Sequence, residues 1–163
     1  MKLNSMDAGS TSKIKKVAIL GCGAIGSRIA HSIKNDLRQL CFLSGLFDID
    51  RFKTEKLAQS LSQDNLARES FPALLQECDI LVEAINSNTH DLIQMALEAR
   101  KDVLTMSVGK LLNAEDLFAL SLRNGCAILI PSGAIAGIDA VKSASLAPID
   151  RITLTTRKPI SGF

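Results

Sequence analysis

Val17-Ala18-Ile19-Leu20-Gly21-Cys22-Gly23-Ala24-Ile25-Gly26 decides the reading of this chain. An apolar run short enough for a buried strand leads into glycines spaced Gly-x-Gly-x-x-Gly, and an amphipathic stretch then continues to about Asn35. Strand, tight turn and helix in that order give each glycine a separate task. The first lets the chain turn sharply, the second lets backbone approach a pyrophosphate, and the third lets helix and strand pack closely. Free N–H groups at the helix start then face the phosphates. Gly21, Gly23, Ala24, Ile25 and Gly26 are therefore the expected pyrophosphate-binding residues of a dinucleotide site.

The next apolar run, Cys41 to Phe47, ends at Asp48, which lies 22 positions beyond Gly26. A ribose-binding acid is expected at roughly 20 residues. A carboxylate there accepts hydrogen bonds from ribose hydroxyls and repels a 2′-phosphate, so NAD is favoured over NADP. Arg51 argues the other way, because a guanidinium three residues on can pair with an extra phosphate. Asp50 is the expected cap of a helix starting near Arg51.

Strand-like runs recur at Lys16–Leu20, Phe42–Phe47, Ile80–Ala84, Val103–Met106 and Ala127–Ile130. Helical patterns fall at Ile25–Asn35, Arg51–Leu61, Thr89–Arg100 and Ala114–Asn124, with a short proline-started helix at Phe71–Leu75. This alternation predicts an α/β fold, a Rossmann-type doubly wound parallel sheet covered by helices on both faces. A further strand is expected between Gln63 and Phe71, where only Leu66–Phe71 is available. Past Pro131 come a glycine-rich segment and a helix-like stretch to about Ser145; Arg151–Thr156 then alternates like a strand of a different sheet. The expected organisation is a flexible extension over residues 1–13, a dinucleotide-binding domain over 14–147, and the first strand of an incomplete α+β domain over 148–163. A lone strand forms no stable domain, so the remainder is expected beyond Phe163 or from another molecule.

The 163 residues, 47% apolar, suffice to bury one full core but are short for two complete domains. Net charge is +2, with +3 over residues 1–16 and +3 over 141–163, which leaves −4 on the body between them. A negative body without Trp or Tyr argues against a nucleic-acid surface. Cys22, Cys41, Cys78 and Cys126 have no metal-ligand spacing and read as free thiols of a reducing, cytoplasmic environment. No run approaches the ~18 apolar residues of a membrane span, and Met1–Ser12 lacks the apolar core of a secretory signal. No metal and no membrane partner is expected.

Beyond the glycine turn, Asp79-Ile80-Leu81-Val82-Glu83-Ala84, Met106-Ser107-Val108-Gly109, Pro131 to Asp139 and Thr155-Thr156-Arg157-Lys158-Pro159 together resemble the L-aspartate dehydrogenase family from about Ile14 to Gly162. The Pro-Ser-Gly-Ala-Ile and Thr-Thr-Arg-Lys-Pro segments are much more specific than the first motif. The resemblance implies a Rossmann domain followed by an α+β substrate domain. It also implies NAD(P)-dependent oxidation of L-aspartate to iminoaspartate, which yields oxaloacetate and ammonia or feeds NAD biosynthesis. Association into a homo-oligomer would go through the substrate domain. The chain departs from the family at Lys110, where a small residue is usual, and the family's catalytic histidine is expected beyond Phe163. The 163 residues alone are therefore expected to be inactive. Two other readings stand beside this one: a catalytically silent NAD-binding module, and a related oxidoreductase of the homoserine dehydrogenase kind.

Carried over residue by residue, the resemblance puts Ala84, Ile85 and Asn86 on the nicotinamide side, at a strand end where an open parallel sheet takes its ligands. Ser107, Val108 and Gly109 follow the next strand and are expected to orient the cofactor carboxamide; Ser132, Gly133 and Ala134 are expected against the substrate. Arg157 and Lys158 are candidates for gripping carboxylates, or are an exposed basic strand end. Oxidation of an amine requires a general base. Of the two histidines, His31 reads as an ordinary helix residue, whereas His90, starting a helix beside the nicotinamide edge, is geometrically admissible as a base. Glu83 reads as a structural carboxylate pointing away from Val82 and Ala84, and Lys110 as solvated beside a glycine turn.

Overall fold

The computed structural model describes residues 14–87, 89–131, 141, 144–153, 155 and 157. Its elements are β1 (Lys15–Leu20), α1 (Ala24–Asn35), β2 (Cys41–Phe47), α2 (Arg51–Ser60), α3 (Phe71–Gln76), β3 (Ile80–Glu83), α4 (His90–Glu98), β4 (Asp102–Thr105), α5 (Glu115–Asn124) and β5 (Ile128–Leu129). The five strands form one parallel sheet in the order β2-β1-β3-β4-β5. The α/β fold expected from the sequence is the fold observed.

Alternation along β1 explains how helices cover both faces. Val17 and Ile19 pack with Ala30 and Ile33 of α1 and Leu57 and Ala58 of α2. Ala18 and Leu20 face the opposite way, into Phe71, Leu74, Ile93, Leu97 and Leu117 from α3, α4 and α5. Because side chains on a strand point alternately to the two faces, a buried strand must be apolar throughout, as Val17–Leu20 is. β1 lies between β2 and β3, so the chain winds outward from it in both directions. The carboxyl ends of β1 and β3 then bound the crevice where such sheets take ligands.

The strand expected between Gln63 and Phe71 is corrected. Asp64–Leu66 forms a single turn of tight helix, and Ala67 makes one isolated parallel bridge to Leu46. Arg68 shows why the ladder stops. Its N–H donates to Leu46 O (2.9 Å), and its guanidinium then folds over the β2 edge to reach Ser44 O (2.6 Å) and Glu77 (2.5 Å). A side chain thus satisfies an edge carbonyl that a longer strand would have paired. Two residues on, Ser70 accepts the Ala73 N–H (3.3 Å) and Phe71-Pro72 start α3.

Two compact units follow one another along the chain, dividing between Pro131 and Ser132. The sheet belongs wholly to the first, and Pro148 falls inside the second. In the second unit Val141 and Ala144 are helical. The stretch expected as a strand carries none among its described residues, Arg151, Ile152, Thr153, Thr155 and Arg157. A strand is defined by its ladder, and an alternating sequence supplies no partner. Ser132, Gly133, Ala134 and Lys158 lie outside the described residues.

Candidate nucleotide site

Three glycines at the end of β1 behave differently when a side chain is imagined on each. Gly21 has φ +103°, and a Cβ there would lie 2.5 Å from Ala84 O. Its N–H donates to Phe47 O (2.8 Å), so the turn is stitched between the ends of β2 and β3. A Cβ on Gly26 would meet Gly21 O at 1.8 Å. A Cβ on Gly23 would meet nothing within 4 Å. The fold requires the first and third glycines; the middle one faces open space and leaves the backbone bare where a pyrophosphate would approach. The residues present therefore fit a dinucleotide.

Asp48 is held from two directions. Its Oδ2 accepts the Cys22 N–H (2.7 Å) and its Oδ1 accepts the Asp50 N–H (2.9 Å), which fixes the carboxylate beside the glycine turn. Asp50 in turn accepts the Phe52 N–H (3.1 Å) and caps α2, as expected. Arg51 does not turn toward Asp48. It pairs with Glu55 (2.7 Å) and lines a separate hollow.

A cleft of about 520 Å³ opens between these ends. Gly23, Ala24 and Ile25 contribute one wall, Asp48 and Ile49 a second, and Ala84, Ile85 and Asn86 a third. Seven residues chosen from the sequence are thus brought to one cavity, while Gly21 and Gly26 shape it from behind. Ser107, Val108 and Gly109 are not among its lining residues. The sequence reading missed Ile49, 98% exposed on the rim, and Lys53, which also lines the cleft. A large apolar side chain between two aspartates was the available signal for Ile49.

Ser107 reaches the cleft wall through Ile85 and through Glu83. This carboxylate is fully buried, and both oxygens are occupied. Oε1 accepts the Ile85 N–H (3.0 Å), and Oε2 accepts the Thr105 hydroxyl (2.6 Å) and the Ser107 N–H (3.3 Å). The Ser107 hydroxyl lies between Glu83 Oε1 (3.1 Å) and Ile85 O (2.8 Å). A buried polar group is tolerated where hydrogen bonds replace water, and here they fix the loop after β3 to the end of β4. Glu83 is structural, as expected. The solvated reading of Lys110 is corrected: its ammonium donates to Ile85 O (2.8 Å) and Ser87 O, and so pins the cleft wall.

His90 starts α4, with Nε2 2.8 Å from Asp116 at the start of α5, and it is not among the cleft-lining residues. His31 lies in α1, with Nε2 3.4 Å from Ser60 Oγ. All four cysteines are free. Burial is the main cause that pushes the thiols of Cys22 and Cys78 up from 9.0 to about 11. Among the described residues no group of His, Cys, Asp and Glu could hold a metal ion, and no helix is long and apolar enough to cross a membrane.

Residues 21–131 match the family model described as homoserine dehydrogenase, NAD binding domain. The chain belongs to this family of NAD-binding domains. L-aspartate dehydrogenase from Methanosarcina barkeri is 40% identical over 152 residues, covering 91% of this chain and 56% of that protein. The same enzyme from Methanococcus maripaludis is 38% identical, covering 91% and 57%. The likeness read from the motifs therefore extends across most of this NAD-binding chain, which spans just over half the length of the relatives it matches. Among solved structures, UDP-N-acetylglucosamine 3-dehydrogenase GnnA from Acidithiobacillus ferrooxidans superposes with a TM-score of 0.67 at 20% identity, over 82% of this chain and 42% of that one. That likeness concerns the fold.

Proposed function

We propose that this chain is the cofactor-binding part of an NAD(P)-dependent L-aspartate dehydrogenase, which converts L-aspartate to iminoaspartate and thence to oxaloacetate and ammonia, or supplies NAD biosynthesis. The observation that carries this reading is the 36–40% identity to L-aspartate dehydrogenases, extending over 91% of the chain in the first seven matches. The bound cofactor supplies the hydride acceptor. Gly23 and the backbone around it take the pyrophosphate, Asp48 the adenosine ribose, and Ala84, Ile85 and Asn86 the nicotinamide side. Glu83 and Lys110 hold that wall in position. Ser107, Val108 and Gly109 support the carboxamide from behind it.

Residues 14–147 are assigned to the cofactor domain and 148–163 to the start of the substrate domain, with Ser132, Gly133, Ala134, Arg157 and Lys158 kept as the candidates for binding the dicarboxylate substrate. None of the cleft-lining residues is a histidine, and His90 is engaged with Asp116. The general base is therefore assigned to the part of the relatives that this chain does not span. Four free thiols favour a cytoplasmic protein. Association into a homo-oligomer is assigned to the substrate domain.

A second reading, a homoserine-oxidising enzyme, is favoured by the description of the matching family model. NADH formation from L-aspartate and from L-homoserine separates the two. The measurement is made on the 163-residue chain and on a protein that joins it to the remaining part of an L-aspartate dehydrogenase. Turnover of aspartate by the longer protein alone is expected. Turnover of homoserine and not aspartate would overturn the proposal, and aspartate turnover by the short chain would move the base to an internal residue such as His90.

A further inference from the structure

We propose that Lys110 sets the oxidation-state preference of the cleft: its ammonium, held behind the nicotinamide wall, disfavours the positively charged ring of NAD+ and biases the site toward NADH. The proposal rests on the reading of Ala84, Ile85 and Asn86 as the nicotinamide side. Ile85 and Ser87 line the cleft, and Lys110 Nζ donates to the carbonyl oxygens of both, at 2.8 Å from Ile85 O. The charge is thus one carbonyl group behind the cleft surface, on a side chain that does not itself line the cleft.

Tethering alone does not account for an ammonium here. Ile85 is already tied without it, since its N–H donates to Glu83 Oε1 (3.0 Å) and the Ser107 hydroxyl lies 2.8 Å from its carbonyl oxygen. The partners of Lys110 are neutral carbonyls, and among the described residues it forms no ion pair with a carboxylate. Its hydrogen bonds replace water without cancelling its charge. Glu83 is the carboxylate of the same network, and its oxygens are engaged by Ile85, Thr105 and Ser107. Whatever charge Glu83 carries is the same for both cofactors and is untouched by a substitution at Lys110.

NAD+ and NADH share their pyrophosphate and riboses and differ by a unit charge on the nicotinamide ring. A fixed cation beside that ring acts on the oxidised form alone and leaves the contacts at Gly23 and Asp48 common to both. Lys110 is half-buried, so its field is screened less than that of a surface lysine. A site with greater affinity for the reduced form shifts the equilibrium on the protein toward reduced cofactor. That direction suits the oxidation of an amine.

The test is calorimetric titration of the chain with NAD+ and with NADH at one pH and ionic strength, in the wild type and in Lys110→Met, Lys110→Gln and Lys110→Arg, with thermal melts of each. The ratio of the Kd for NAD+ to the Kd for NADH is expected to fall by about five-fold in the Met and Gln variants and to stay within about two-fold of the wild type in the Arg variant. A residue that only tethers the wall would raise both Kd values in parallel; an unchanged ratio in the neutral variants therefore overturns the proposal. So does a Gln variant that keeps the wild-type ratio, which would assign the effect to hydrogen bonding, or an Arg variant that loses it. If Lys110→Met does not melt cooperatively, Gln and Arg, which both retain a donor, decide the outcome between them. Binding of neither cofactor by the wild type would remove the cleft reading together with the proposal, whereas binding of both with an unmoved ratio would remove the proposal alone.

Discussion

Replacing glycine with alanine at positions 23 and 26 makes the same chemical change at two points of one turn, and the structure gives the two opposite outcomes. At Gly26 the added methyl would lie 1.8 Å from Gly21 O, where ordinary contact begins at 3.4 Å. The obstacle is backbone, so rotamer changes give no relief. Alanine gains about 1 kcal/mol over glycine by helix propensity, but forcing extra volume into a packed site costs about 1–3 kcal/mol even where side chains can move. With immovable backbone the upper end of that range applies, the clash wins, and a net loss of about 2 kcal/mol is expected, which for a unit of this size lowers Tm by ~6–10 °C. At Gly23 the methyl meets no protein atom within 4 Å, and φ is −76°, which alanine adopts freely. Loss of a glycine at the helix cap should cost ~0.5–1 kcal/mol and a few degrees. The methyl does occupy the space left for a pyrophosphate, so NAD binding should weaken at least ten-fold, about 1.4 kcal/mol. Thermal melts and NAD titrations of both variants decide the matter. A stable Gly26→Ala, or a Gly23→Ala that binds NAD like the wild type, would refute the assignment of roles.

Asp48→Ser is expected to narrow or reverse the preference for NAD over NADP, since it removes the repelling carboxylate; an unchanged ratio of the two Kd values would count against the ribose assignment. Glu83→Gln places a donor among groups that already donate, and should cost about 2–4 kcal/mol in urea denaturation and loosen NAD binding through the Ile85 wall. Unchanged stability would show that the buried carboxylate is dispensable. Because Cys22 and Cys78 ionise near 9.0 once unfolded but near 11 when folded, the folded state keeps its thiol protons as pH rises and loses stability across that window. Urea midpoints at about pH 8 and pH 10.5 should show a decline that a Cys22→Ser, Cys78→Ala variant flattens.

What the sequence made legible follows from how local the cause was. Apolar period and glycine spacing are near-neighbour properties, and they placed β1, α1, β2, α2 and the cap at Asp50 to within about a residue. The cleft walls at Gly23, Asp48 and Ala84 followed, because a parallel sheet brings strand ends to one edge. Illegible were features whose partners lie far along the chain. Lys110 reads as a solvated cation until Ile85 O, 25 residues away, is seen beside it. Arg68 reads as part of a strand until its guanidinium is found on Ser44 O, 24 residues back.

The central claim is that the cleft between the ends of β1 and β3 holds NAD, and calorimetric titration of NAD into the folded chain tests it most directly. The account predicts saturable binding at one site per chain, without added metal, accompanied by a rise in Tm, and weakened at least about ten-fold by Gly23→Ala while that variant remains folded. No heat and no Tm shift on saturating NAD, in a chain that melts cooperatively, would contradict it.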